Sequence, residues 1–430
     1  MSPRQLLQRT AALLSGLVVA CAASGLLPSC TVTDFGAVGN NVSEDTGSIA
    51  AAIAACQTVV FPAPGRYLMR PVRIDAHDNL TLLVEPGATI VAWGDVETWN
   101  ATTDGGVAGL FANGYVNCSS SAGLASAGLC PVPVRSFTLT GGGVIDGQGW
   151  RWWPFLKTRR RPILLNIENG ERLLITNVTL LNSPGFHLKL RGSDIEVGHV
   201  TVRAGDCTGW TGAPNTDAVN IGGQRIWVHD CDVLNGDDCV PVDVGWNNTD
   251  TDNVLVERVT CACGTNGGVP VVANGASVKN VVFRDMVVRA TDQGAGVKIA
   301  KSWDDAKGSF QNISWENVTI VNPRYAAIYA NMFYEDAVQK HCIVPGNASK
   351  RTHWLTASGL TFRGIRAEVN SSVAMAGCFM CGPGRPCTGV AFEDVIVMEL
   401  GGGPVASVAP YKCNNVQFTA AGSSPSPCGA

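Results

Sequence analysis

A short pattern recurs along this chain and leaves few folds open to it. Each copy is an alternating apolar run, one small or polar turn residue, and a second short run. Copies start at Leu173, Ile195, Ile226, Val254 and Val281, with later ones at Ile313, Leu360 and Val390. The first five starts lie 22, 31, 28 and 27 residues apart. A unit of that length cannot bury its apolar face alone, so such periods mean stacked coils. β-Branched residues alternate with polar ones, which gives each strand one buried face. Asp, Asn or Gly stands between paired runs, where a sharp turn needs a left-handed backbone. A β-propeller is the rival fold, but its blades need about 40–50 residues each.

The chain is therefore expected to be all-β: a right-handed, single-stranded parallel β-helix from about Thr31 to Cys413. Helical apolar spacing occurs at Ser48–Cys56, which predicts a helical cap on the open N-terminal coil. The Ser-, Pro- and Gly-rich stretch 414–430 reads as a flexible tail. Residues 105–129 read as an insertion loop, pinned by Cys118 and Cys130.

Composition narrows the class. Charged residues are 15% of the chain and glycines number 49, which suits many turns and few helix faces. The net charge of −4 gives no basic field for nucleic acid. Arg4 and Arg9 precede an uncharged, mostly apolar stretch, and small residues end it near Ala23, so 1–23 reads as a secretory signal. No later stretch is long and apolar enough to span a membrane. Sixteen cysteines and ten Asn-x-Ser/Thr sequons, from Asn41 to Asn370, agree with a secreted, extracellular or cell-wall glycoprotein with disulfide bonds. The cysteine spacings do not suggest zinc, and neither a metal nor a cofactor is expected. Cys378, Cys381 and Cys387 read as local disulfide partners.

Two acidic motifs carry the chemistry. Asp217 lies in Asn215–Ala218, and Asp237 and Asp238 lie in Asn235–Cys239, 20 residues on and about one coil later. Stacked coils are about 4.8 Å apart, so the three carboxylates face one groove. Crowded carboxylates repel, so at least one pKa should rise and leave a protonated acid beside ionised bases. Glycoside hydrolysis needs that division of labour: an acid for the leaving oxygen and a base for water. An Asp-rich turn or a calcium site would use the same residues.

The motifs in order resemble those of the polygalacturonase family of pectin hydrolases, glycoside hydrolase family 28, and its plant-type branch above all. The likeness runs through residues 33–39, 58–62, 84–89, 145–149 and 182–184 to Asn215–Asp217 and Gly236–Cys239. It implies Asp237 as general acid, Asp217 and Asp238 as the pair that activates water, and inversion at the sugar. Inverting pairs stand about 6.5–9.5 Å apart. It further implies that Asn215 orients the site, that Tyr334 lines the groove, and that Cys239 pairs with Cys261 or Cys263. The implied substrate is α-1,4-galacturonan in pectin, acted on by a monomer that needs neither nucleic acid nor membrane.

Two positions depart from the family. Gly267 stands where the family has a histidine that tunes the acid. None of the six histidines replaces it: His187, His199 and His229 lie in repeat strands and read as surface or packing residues. The family's Arg-Ile-Lys becomes Lys298-Ile299-Ala300, which loses bidentate geometry toward a substrate carboxylate. Lys301 is adjacent but on the other strand face. Lys157 and Arg159–Arg161 read as a solvated turn that can alternatively bring cations to the groove. The altered motif leaves open a related pectic polymer, rhamnogalacturonan or xylogalacturonan, or a catalytically weak polysaccharide-binding protein. A calcium-dependent lyase is disfavoured, since no Arg accompanies the Asp motifs.

Overall fold

The alternation along each repeat is realised as a ladder of parallel strands. In the computed structural model, described residues are 28–94, 109–117, 129–155, 161–207, 212–245, 248–272, 276–299, 307–333, 340–343, 354–382, 384–405 and 410–429. Leu173 pairs with Ile195, Ile195 with Ile226, Ile226 with Val254 and Val254 with Val281. Val281 then pairs with Ile313, and Ile313 with Leu360. Every repeat start read from the sequence up to Leu360 thus stands in one row, one coil above the last. All strand pairings in this stack are parallel; an antiparallel pair joins Tyr115–Asn117 to Leu129–Pro131. The fold is a right-handed parallel β-helix of the pectinase kind.

One left-handed residue per coil makes each corner. The first corner row runs Asp194, Arg225, Asn253, Asn280, Asn312 and Gly359, with φ between 52° and 65°. Five residues later comes a second row: His199, Asp230, Arg258, Asp285, Asn317 and Gly364. Asn, Asp and Gly take this conformation at least cost. Their side chains also pair along the stack. Asn312 Nδ2 donates to Asn280 Oδ1 at 2.7 Å, and Asn317 Nδ2 to Asp285 Oδ1 at 2.7 Å. Arg225 grips Asp194 through Nε and Nη2, and Arg258 grips Asp230 the same way.

Inside the coils, equivalent positions stack their side chains. Phe283, Trp315, Phe362 and Phe392 form a column, with ring centroids 5.7, 4.8 and 5.7 Å apart and planes within 13°. Burying one such aromatic is worth several kcal/mol, about 25 cal/mol for each Å² of roughly 150–250 Å². Gly192 and Gly223 stack where the coil bends. A β-carbon on Gly223 would lie 1.8 Å from the Gly192 carbonyl, at a φ of +128°.

Helix Thr46–Ala55 buries Ile49, Ala52 and Ile53, as the N-terminal cap requires, and Cys30–Cys56 ties the first coil beside it. The C-terminal reading is corrected. The described part of that stretch, 414–429, is not a loose tail: Val416–Ala421 is a strand pairing with Cys387–Glu393, Phe418 packs edge-on against Phe392, and Cys413–Cys428 closes the end. The Ser-, Pro- and Gly-rich composition hid one more coil edge that needed covering. Within the stretch read as an insertion loop, Gly109–Ala112 is instead a strand of the stack, pairing with Val72–Arg73 and with Ile163–Asn166, while 105–108 and 118–128 lie outside the described residues. The proposed leader 1–23 and Cys118 lie outside the described residues.

Candidate active site

Successive coils set the acidic motifs side by side. His187 N donates to the Asp217 carbonyl at 2.8 Å, Ala218 N to the Asp238 carbonyl at 3.0 Å, and Cys239 N to the Asn266 carbonyl at 2.9 Å. Asp217, Asp237–Asp238 and Thr265–Asn266 therefore occupy one height in three neighbouring coils. The turns are wired to each other. Asn235 Nδ2 donates to the carbonyls of Thr216 and Asp238, and Gly236 N donates to Thr216 Oγ1. Gly264 passes so close that a β-carbon would lie 2.1 Å from the Asp237 carbonyl. Cys239–Cys261 and Cys207–Cys263 anchor the same turns, which resolves the two partners open to Cys239. Cys381 bonds Cys387 locally, whereas Cys378 reaches back to Cys342.

Asp217, Asp237 and Asp238 are 5%, 6% and 5% exposed, so water screens their mutual repulsion little. Burial first, and then the charges of Asp237 and Asp238, push the Asp217 carboxyl well above its usual range. Burial and Asp238 push Asp237 up to about 6, against the opposing pull of Lys298. Asp238 is the carboxylate that a cation contacts directly. Lys298 Nζ lies 2.6 Å from its Oδ2, while Asn266 Nδ2 and Thr265 Oγ1 lie 2.5 and 2.6 Å from its Oδ1. Those contacts place one cation and two neutral side chains on Asp238. Asp237 accepts from its neighbour's backbone, from Thr265 at 2.8 Å and from Asn215 Nδ2 at 3.3 Å. Asp217 accepts from Asn220 Nδ2 at 3.0 Å, and Arg191 braces Asn220 from behind at 2.5 Å. The set can keep a proton on one carboxyl beside an ionised neighbour in mildly acidic water.

Several readings from the sequence meet their positions here. Asn215 touches Asp237, and Lys298 reaches the carboxylates, though as the partner of Asp238. Tyr334, Lys157, Arg159, Arg160, Ala300 and Lys301 lie outside the described residues. Gly267 faces the coil interior, where a β-carbon would come within 2.7 Å of Val288, so a histidine there could not face the acids. Thr265 and Asn266 take that place, and Tyr329 donates to Asn266 Oδ1 at 2.6 Å. The side-chain direction of these two residues is set by the local register and is not written in the sequence.

His187 is fully buried beneath the site, and burial pushes it down to about 4, so it is a neutral packing residue. Arg161, from the turn read as solvated, is instead half-buried. Its Nη1 donates to the carbonyls of Pro184 and Pro214, and its Nη2 to Asn215 Oδ1 at 3.0 Å. Elsewhere, His199, His229 and Asp230 bring ligand atoms within 4.8 Å of one another at the second corner row, away from the carboxylates. Asp230 is there already gripped by Arg258.

The sequence profile of glycosyl hydrolases family 28 matches residues 114–424. A polygalacturonase of Juniperus ashei is 27% identical over 294 residues, covering 65% of this chain and 54% of the relative. The chain thus spans about half the length of that relative. A probable polygalacturonase of Arabidopsis thaliana is 24% identical over 405 residues, covering 90% of this chain and 77% of the relative. Among solved structures, an endo-xylogalacturonan hydrolase from Aspergillus tubingensis superposes with a TM-score of 0.69 at 19% identity, over 92% of this chain and 100% of that one. An exopolygalacturonase from Thermotoga maritima gives 0.67 at 16% identity, over 92% and 91%. At such identities the two structures speak for the fold.

Proposed function

The chain belongs to glycosyl hydrolases family 28, and on that footing we propose that it hydrolyses α-1,4-galacturonan, the acidic polymer of pectin. The observation that carries this is the carboxylate stack: Asp237 raised to about 6 beside an Asp238 compensated by Lys298. Asp237 gives its proton to the glycosidic oxygen as the bond to the leaving sugar breaks. Asp217 and Asp238 take a proton from the water that attacks the opposite face of the ring. A single displacement of this kind inverts the anomeric carbon. With the proton on Asp237, burial and Asp238 still raise Asp217's affinity for a proton, but the charge of Asp237 no longer adds to them, which favours Asp217 as base. Asn215 orients Asp237, and Lys298 pairs with Asp238.

The protein works as a secreted monomer in the wall, with no metal or cofactor in the step. Its disulfides suit an oxidising compartment, and none of the described helices is long and apolar enough to cross a membrane. The test is reducing-sugar release from polygalacturonate, with rhamnogalacturonan and xylogalacturonan in parallel. Wild type should release sugars from the first, and Asp237→Asn should not. Undiminished release by that variant would sink the assignment of the acid.

A further inference from the structure

Arg161 does more in this site than hold a turn. Its guanidinium carries five N–H donors in one plane. Both on Nη1 are spent on the carbonyls of Pro184 and Pro214, and one on Nη2 goes to Asn215 Oδ1. Among the described residues nothing accepts from Nε. The Nε–H shares one edge of the guanidinium with Nη2, the fork that fits the two oxygens of a carboxylate. The two outer corner rows show that fork filled, where Arg225 and Arg258 grip Asp194 and Asp230 through Nε and Nη2.

The position of this cation is unlike those surface forks. Two carbonyls and a side-chain amide, from two successive coils, fix its plane. Asn215 alone separates it from Asp237, accepting from Arg161 and donating to Asp237 Oδ2 at 3.3 Å. Burial lowers the affinity of Arg161 for its proton and the charges of Asp237 and Asp217 offset this only in part, so it is desolvated and within electrical reach of both. Neither carboxylate bonds it directly, because Asn215 is interposed. Lys298, the other cation at the carboxylates, is committed to Asp238.

We propose that Arg161 is the carboxylate clamp of the sugar site. Its Nε/Nη2 edge receives the acid group of a uronate on the N-terminal side of the three aspartates and makes the enzyme prefer free acid to ester. This rests on the hydrolase reading above and adds the residue that selects the substrate's charge.

The experiment compares a defined oligogalacturonate with its methyl ester, using wild type, Arg161→Gln, Arg161→Lys and Asn215→Ala. Two charge-assisted hydrogen bonds set the scale. Arg161→Gln should cut the preference for free acid over ester about 100-fold, mainly through KM, and Arg161→Lys, which keeps the charge without the fork, about 10-fold. Asn215→Ala should slow both substrates alike through kcat. Equal losses on acid and ester in Arg161→Gln, through kcat, would overturn the clamp and leave Arg161 as a prop for Asn215. An unchanged preference would overturn it as well. Calorimetric binding of the free-acid oligomer separates this from the reaction itself. If wild type turns over neither substrate, the hydrolase reading fails, yet loss of binding in Arg161→Gln still supports the clamp, and equal binding refutes it. Melting curves and the Arg161→Lys arm guard against a variant that does not fold.

Discussion

Replacing Asp237 by Asn should abolish activity and yet stabilise the fold, but only in neutral water. Asp237 holds its proton up to about 6 in the folded chain, against an ordinary value of 3.8. Two units at about 1.36 kcal/mol each mean that ionising it in place costs about 3 kcal/mol. The folded state binds this proton more tightly than the unfolded state does. Its stabilisation is thus complete below about pH 4, fades as pH rises toward 6, and is absent above. Asn carries no charge, so at about pH 7.5 the variant avoids that cost. It also relieves Asp217, for which Asp237 is a leading source of repulsion. Against this, the new amide faces the Asn215 amide at the 3.3 Å contact, donor to donor. That mismatch costs about 1 kcal/mol at every pH. The net expectation is a variant about 2 kcal/mol more stable than wild type near pH 7.5 and about 1 kcal/mol less stable near pH 4. Urea unfolding of both proteins at the two pH values reads this directly. Stability curves that keep one constant offset at both would refute the electrostatic account of Asp237.

Other consequences can be checked with single substitutions. Thr265 donates into the Asp237–Asp238 pair and helps to lower the Asp237 value. Thr265→Val should therefore move the alkaline limb of kcat/KM, expected near 6 in wild type, to higher pH, and should slow turnover on the order of 10-fold; a limb that stays put argues against Asp237 as the acid. Cys239→Ser opens the bridge to Cys261 behind the catalytic turn, and denaturant melts should show a loss of about 2–5 kcal/mol. Gly223→Ala has no room beside the Gly192 carbonyl and a φ of +128°. It should cost about 3 kcal/mol or more, seen as a lowered melting point or insoluble protein.

The sequence carried the coil stack because alternation and repeat starts 22 to 31 residues apart, between Leu173 and Val281, admit few other arrangements. It failed at the C-terminus, where Ser and Pro between Ala421 and Cys428 look like a linker although Phe418 and Cys428 still close the last coil. Asp217, Asp237 and Asp238 were legible as a group, because one coil of spacing puts equivalent residues side by side. Their partners were less so. Thr265 and Asn266 reach the acids through a turn whose side-chain directions depend on how Gly264 and Gly267 sit against the next coil. Arg161 ends a run of arginines, which in a sequence looks like a solvated surface. Burial between two coils, with Pro184 and Pro214 presenting their carbonyls, decides otherwise.

The central claim is that buried carboxylates here perform one acid/base displacement on an α-linked uronan. The most direct test is to follow a purified digest of oligogalacturonate by proton NMR from its first minutes, before the new reducing ends equilibrate. The account predicts that the β-anomer appears first and that Asp237→Asn yields none of it. An α-anomer appearing first, or an unsaturated uronate in place of a hydrated end, would contradict it.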